Sequence, residues 1–235
     1  MNKKSLYCNM LEFFVRNKWK STSQISQDLL VLYFNELKKN GFFVEIGAAN
    51  GFYLSNTLTL ENFGWKGIIA EPLPRWHEKI KKRKCQVDLR CIYDKSNSKL
   101  IFEDVLDYPE LSGTTEDLEE DNNASLRKNT QKFEVDTISL NDLLEEYKAP
   151  NKIDYISVDT EGSEYKILKN FNFKKYNVEI FTVEHNFIEN KRNSIFDLML
   201  SNDYVRVFQA LSQWDDWYIK KDNIILKQFT PEDLI

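Results

Sequence analysis

Four short groups of polar residues stand where apolar runs end, and each is of a type that does chemistry. The first lies in Val44-Glu45-Ile46-Gly47-Ala48-Ala49-Asn50-Gly51. An acid followed by two glycines four residues apart makes an E-x-G-x-x-x-G turn, which lets a sheet bring a small cofactor against its backbone. The dinucleotide fingerprint G-x-G-x-x-G is not met, because Ala49 holds the middle position, and this disfavours a nicotinamide or flavin oxidoreductase. The second group is Glu71, 20 residues after Gly51. In doubly wound folds an acid at about that distance accepts hydrogen bonds from ribose hydroxyls. Its structural alternative is a helix N-terminal acid ahead of Pro72 and Pro74. The third is Asp159-Thr160-Glu161-Gly162-Ser163-Glu164. Capping of the helix that follows accounts for Glu164, with Asp159 or Ser163 as the cap, but accounts poorly for Asp159 and Glu161. The fourth is Val183-Glu184-His185-Asn186, which holds one of only two histidines. At a strand end on the ligand edge of a sheet, His185 is placed for proton transfer near neutral pH, or else packs as a structural histidine. His77, in a basic segment, reads as surface.

The elements that must position these groups follow a regular order. Helical patterns cover Leu6–Arg16, with Leu6, Met10, Phe13 and Phe14 on one face, and a second stretch through Leu29–Leu37 that ends on a basic turn and Gly41. Phe42–Ile46 and Gly67–Ala70 are short apolar runs bounded by glycine, as buried parallel strands are. Helical pattern resumes over Tyr53–Phe63 and over Arg75–Lys84, the latter with six basic residues and one acid. A solvated face is the ordinary role of such a charge run, and phosphate attraction the alternative. Ile153–Val158 and Val178–Val183 are further strands, Ser163–Phe171 and Arg192–Leu200 further helices, and Tyr204–Phe208 with Trp217–Ile219 a closing antiparallel pair. Alternating strand and helix predicts an α/β domain with a mostly parallel central sheet, helices on both faces and that C-terminal pair. Five of the seven glycines lie between positions 41 and 67, in the turn system around the first group. The stretch Glu103–Asp121 holds nine acids and no Lys or Arg. It reads as a solvated loop, of the length that often forms a lid over a binding site.

Composition bounds the function. The chain has 235 residues, 42% hydrophobic and 29% charged, so it can bury a core without disulfide or metal staples. A net charge of -5 argues against a general nucleic-acid binder. No apolar run approaches the ~18–20 residues of a membrane span, and the charged N-terminal segment makes no signal peptide. Three cysteines without paired spacing predict a reduced, cytoplasmic protein.

The sequence resembles the FkbM family of S-adenosylmethionine-dependent methyltransferases, on the class I Rossmann-like fold. The matching pieces occur in family order from about Ser23 onward, which divides the chain into an N-terminal helical extension, 1–22, and a methyltransferase domain, 23–235. Ser23-Gln24 with Gln27-Asp28 resembles the S-Q-x-x-[EQ]-D element. Residues 42–51 resemble the cofactor loop, Ser55-Asn56-Thr57 and Gly64-Trp65-Lys66-Gly67 the S-N-T and G-W-x-G elements, and Ile69-Ala70-Glu71-Pro72 the acid-Pro corner. Thr137-Ile138-Ser139-Leu140 precedes the strand ending in Asp159–Glu164, which resembles D-x-E-G-x-E. Cys91-Ile92-Tyr93-Asp94 departs from the family's Ala, small or apolar residue, Ser, Asp.

The resemblance implies that Glu45, Gly47, Ala48, Asn50, Gly51 and Ser55 line the methionine and ribose part of the cofactor. It implies that Glu71 and Pro72 hold the ribose, Asp94 the adenine, and Asp159 the methionine amino group. It implies O-methylation of a sugar or nucleotide-linked sugar, in surface-polysaccharide or natural-product biosynthesis. His185 is then the first candidate for the base that takes the hydroxyl proton, with Asp159 or Glu161 behind it. A divalent metal on Asp159, Glu161 and His185 could lower the hydroxyl pKa instead, and Mg²⁺ or Mn²⁺ would suit that donor set; the metal-free route is favoured. The acceptor is a small molecule or nucleotide sugar, with no nucleic-acid partner and with room for a homo-oligomer. A non-catalytic scaffold module on the same fold is the alternative function.

Overall fold

The structure, a computed structural model, describes residues 6–118 and 123–229. The first five residues of the N-terminal extension, positions 119–121 of the acidic stretch and the last six residues of the domain therefore lie outside the described residues. In chain order the elements are α1 (Leu6–Asn17), α2 (Gln27–Phe34), β1 (Phe42–Ile46), α3 (Leu58–Asn62), β2 (Lys66–Ala70), α4 (His77–Ile80), β3 (Gln86–Asp88), β4 (Cys91–Tyr93), β5 (Lys99–Val105), β6 (Gly113–Thr114), β7 (Thr130–Ser139), α5 (Leu140–Glu146), β8 (Lys152–Val158), α6 (Glu164–Lys169), β9 (Asn177–Glu184), α7 (Glu189–Ser201), β10 (Tyr204–Val207), α8 (Gln209–Ser212) and β11 (Asp215–Lys220).

Seven strands form the main sheet in the order β10-β11-β9-β8-β1-β2-β3. All pairs are parallel except those of β11 with β9 and with β10. This is the Rossmann-like α/β sheet expected, with its antiparallel closing pair. Alternation along each strand assigns side chains to two cores. Val44, Ile46, Ile156, Val158, Phe181 and Val183 face α5, α6 and α7. Phe43, Ile69, Tyr155, Ile180, Trp217 and Ile219 face α1 and α2 on the other side. Glu45, Ser157, Thr182 and Glu184 share the parity of this second face, so the polar groups of three neighbouring strands rise on one side. Burial on both faces makes each strand read as a continuous apolar run.

Three expected elements differ. The helix over Tyr53–Phe63 is only α3, Leu58–Asn62, because the residues before it are used as a loop: Leu54 has φ 60° and bridges Ser23, and Ser55 to Thr57 turn inward onto Glu45. The helix over Arg75–Lys84 shrinks to a 3-10 turn and α4, His77–Ile80. Its charge run is not wholly solvated, because Arg83 is buried. The acidic stretch is not a plain loop. It starts within β5, which pairs with β7 and β6 in a second sheet, β4-β7-β5-β6, and Asp117 is buried under Tyr93, Thr114 and Lys166.

Candidate active site

A cleft of ≈ 370 Å³ opens above the carboxyl ends of β2, β1, β8 and β9, within the size range of small-molecule sites. This is where open parallel sheets bind ligands. The turn after β1 forms its floor. Gly47 has φ 80°, and a Cβ there would stand 1.6 Å from the Asp159 carbonyl oxygen, so only glycine lets the β1 and β8 ends close together. Asn50 Oδ1 accepts from the amides of Phe52 and Tyr53 and shapes the next turn. Gly47, Ala48, Ala49 and Asn50 all line the cleft, whereas Gly51 does not; its carbonyl accepts from Arg83 Nη1 at 2.6 Å.

Glu45 reaches the cleft wall, yet its carboxylate is occupied. It accepts from Ser55 Oγ (3.0 Å), the Asn56 amide (2.6 Å) and Thr57 Oγ1 (2.5 Å), with Arg83 Nη1 at 3.8 Å. Burial raises its pKa against the lowering influence of Arg83 and these donors. Arg83 also bonds Ser55, Thr57 and Glu61. The pair therefore braces the S-N-T loop, and Ser55, expected at the cofactor, is a bracing residue outside the cleft lining. What the loop delivers is Asn56. Its amide nitrogen donates to Ser157 Oγ, and its buried Oδ1 has no hydrogen-bond partner among the described residues.

Glu71 stands at the end of β2, 6% exposed, between cleft and backbone. Oε2 accepts from the Ala49 amide and Oε1 from the Leu73 amide, each at 2.8 Å. Burial pushes its pKa up to about 7, against those two donors. Beyond it the cleft turns apolar, between Pro72, Trp76, Cys91, Ile92 and Phe102, with Trp76 Nε1 buried and lacking an acceptor among the described residues. Asp94, expected here, lies past the end of β4 and does not line the cleft; Cys91 and Ile92 do.

At the opposite end three carboxylates converge. One oxygen each of Asp159, Glu161 and Glu184 lies within 4.8 Å of the others, and all three residues line the cleft. Glu161 takes φ 56° and is held by Arg127 Nη2 (2.6 Å) and the Asn186 amide nitrogen (3.2 Å). Burial, then Asp215, Glu161 and Glu164, raise the Asp159 pKa well above the usual carboxylate range. Glu184 is raised likewise, by burial first and Asp159 second. Glu164 serves the preceding turn rather than the helix end, where the N-cap Ser163 makes no side-chain cap hydrogen bond: Oε1 accepts from the amides of Thr160 and Gly162 and from Thr160 Oγ1.

The structure does not bring His185 to this cluster. Side chains alternate across β9, so Glu184 enters the cleft and His185 faces the α7 side, 1% exposed. Nδ1 accepts from the Phe187 amide at 3.0 Å, and Nε2 lies 3.7 Å from Asp216 Oδ1, a carboxylate shared with Arg192 and Arg206. Burial lowers its pKa. Glu184, in the same tetrapeptide, is the residue that sequence reasoning passed over. His185→Ala should lower the melting midpoint by several degrees through the lost packing and leave transfer kinetics within about twofold, read by calorimetry and initial rates.

The buried acids also fix a pH dependence. Glu71 and Asp215, both pushed up to about 7 by burial, bind protons more readily folded than unfolded. Their contribution is therefore fully present below the unfolded pKa and is lost as pH rises through the folded one. The lowered His77 and His185 act oppositely below about 6.5. In chelator the melting midpoint should rise as pH falls from 8 to about 6. A midpoint that climbs steadily toward pH 8 would contradict a buried, uncompensated carboxylate cluster.

Residues 45–215 match the family model described as Methyltransferase FkbM domain. No curated protein matches the chain significantly. Among solved structures the chain is similar to an O-methyltransferase from Bacillus cereus in complex with SAH (12% identity, 93% of this chain and 90% of that one, TM-score 0.43). It is also similar to precorrin-6y C5,15-methyltransferase from Geobacter metallireducens GS-15 (10% identity, 82% and 84%, TM-score 0.40) and to a methyltransferase from Pyrococcus furiosus (13%, 90% and 95%, TM-score 0.38). Structural likeness this low carries no functional argument; the family match covers most of the chain.

Proposed function

The chain belongs to the FkbM family of S-adenosylmethionine-dependent methyltransferases, and we propose that it transfers the methyl group to a hydroxyl oxygen of a sugar or nucleotide-linked sugar, in surface-polysaccharide or natural-product biosynthesis. The observation that carries the cofactor half is Glu71, a buried carboxylate at the end of β2 facing a cleft whose next wall is apolar. Two oxygens with lone pairs remaining beyond the Ala49 and Leu73 amides suit a ribose diol. The slot between Pro72, Trp76, Ile92 and Phe102 suits a flat purine, with Trp76 Nε1 as a donor for a ring nitrogen. The unpartnered Asn56 Oδ1 suits the methionine ammonium, a task that Asp159 can share.

That order leaves the sulfonium methyl toward Asp159 and Glu184. The acceptor oxygen attacks the methyl carbon in line, the carbon–sulfur bond breaks, and the electron pair stays on sulfur as a neutral thioether. Alignment and exclusion of water do most of the work, since orientation alone contributes ~7–11 kcal/mol. The hydroxyl proton passes to the carboxylate cluster, whose raised pKa values make it a better base than an exposed carboxylate. Tyr53 and Phe187, 69% and 57% exposed on the rim of the cleft, offer flat apolar faces on which the C–H face of a sugar ring can stack.

Transfer of labelled methyl from S-adenosylmethionine to a panel of sugars, nucleotide sugars and amines tests the reading. Label on a sugar hydroxyl is expected. Label confined to nitrogen would overturn the oxygen assignment. Tight cofactor binding with no transfer to any acceptor would favour a scaffold module.

A further inference from the structure

We propose that Asp159, Glu161 and Glu184 bind a divalent, oxygen-preferring cation of the Mg²⁺ or Mn²⁺ kind. Oxygens bound to one octahedral ion at about 2.0–2.1 Å stand at most about 4.2 Å apart. One oxygen from each of the three residues already lies within 4.8 Å of the other two, so side-chain shifts of no more than about 2 Å bring the set onto one ion. The ligands come from two neighbouring strand ends, β8 and β9, rather than from one flexible segment. Glu161 is oriented from outside by Arg127 and by Asn186, which is how outer hydrogen bonds hold metal ligands in place. All three residues face the cleft, which gives an ion a way in.

A second observation shows that something is owed to this cluster. Glu184 is 4% exposed and its Oε2 meets no hydrogen-bond donor among the described residues. Asp215, its register partner across the β9–β11 pair, is 3% exposed with Oδ1 equally without a donor. Its other oxygen takes only the neutral Gln27 amide. The nearby cations are already engaged, Arg127 with Glu161 and Lys191 with Glu164. Among the described residues no Lys, Arg or His forms an ion pair with Asp159 or Glu184. A buried carboxylate oxygen without a donor is costly and calls for a proton or an ion. A donor set of oxygens alone, without Cys or His, selects Mg²⁺ or Mn²⁺ rather than a thiolate or imidazole metal. The binding site stands on this geometry; its use, to lower the acceptor hydroxyl's pKa in place of the base role of the metal-free cluster, rests on the function proposed above.

Mn²⁺ titration of the chelator-stripped full-length protein, followed by loss of the free-ion paramagnetic signal, tests the site. Saturable binding of a single ion per chain is expected, displaced by excess Mg²⁺. Glu184→Gln and Asp159→Asn should each weaken it by at least about tenfold. Glu184→Gln removes a buried charge and keeps the shape, so its melting curve should stay cooperative and its S-adenosylhomocysteine affinity near that of the wild type. No saturable Mn²⁺ binding by the wild type overturns the proposal, as does undiminished binding in both variants; the cluster is then neutralised by shared protons. Failure of Mn²⁺ with S-adenosylhomocysteine still bound removes the metal alone. Failure of S-adenosylhomocysteine removes the function reading, whatever Mn²⁺ does.

Discussion

Glu71→Ala is expected to lower the affinity for S-adenosylhomocysteine by about two decades or more while the protein stays folded. Two hydrogen bonds from ribose hydroxyls to a carboxylate, at about 1.5–3 kcal/mol each, set that scale. The substitution also frees the amides of Ala49 and Leu73, which the carboxylate now fixes, so the turn under the cofactor loosens as well. Glu71→Gln keeps the size and one acceptor and should fall between the two. Because burial holds the free carboxyl at about 7, and the ionised form is the better acceptor, wild-type affinity should rise with pH through that value and binding should release protons. Titration calorimetry in buffers of different ionisation enthalpy reads both quantities. Wild-type affinity in the alanine variant would remove Glu71 from the site.

The second large effect is on turnover. Glu184→Gln should lower the turnover number by ~10²–10⁴, the range for loss of a group that handles the proton in the transition state. Cofactor affinity should change little, because Glu184 lies at the acceptor end of the cleft. The amide cannot take a proton and is a weaker cation ligand, so the rate should also lose the ascending limb of its pH profile. Near-normal turnover, in a variant as stable as the wild type, would make the Asp159–Glu161–Glu184 cluster a structural feature and move the chemistry elsewhere.

Much of this site is legible in the residues, and the parts that are not share a cause. The strand ends at Ile46, Ala70 and Val158 follow from apolar runs that stop at Gly or an acidic residue, and β9 runs one residue past the expected Val183 to Glu184. Gly47, Glu71 and Asp159 follow from their places at those ends. Parity does not follow. A strand buried on both faces carries apolar side chains at both parities, and here a polar one at each as well, so nothing in Val178-Glu179-Ile180-Phe181-Thr182-Val183 says whether Glu184 or His185 enters the cleft. The two alternatives differ by one residue, and the structure turns the chemically more familiar side chain, His185, away from the cleft. Arg83 is illegible for another reason. A run of lysines around it reads as solvated surface, and only the three-dimensional return of Glu45 and Glu61 gives one member of that run a buried partner. The second sheet escaped because acidic residues in β5 hid an alternating strand, in which Leu100 and Phe102 pack inward while Glu103 pairs with Lys132.

The crystal structure of the protein with S-adenosylhomocysteine tests the central claim most directly. The account predicts both ribose hydroxyls on the Glu71 carboxylate and the adenine between Pro72, Trp76, Ile92 and Phe102. It predicts the sulfur turned toward Asp159 and Glu184, with open space between them for an acceptor oxygen. A ligand whose ribose lies away from Glu71, or whose sulfur points away from those carboxylates, would contradict it.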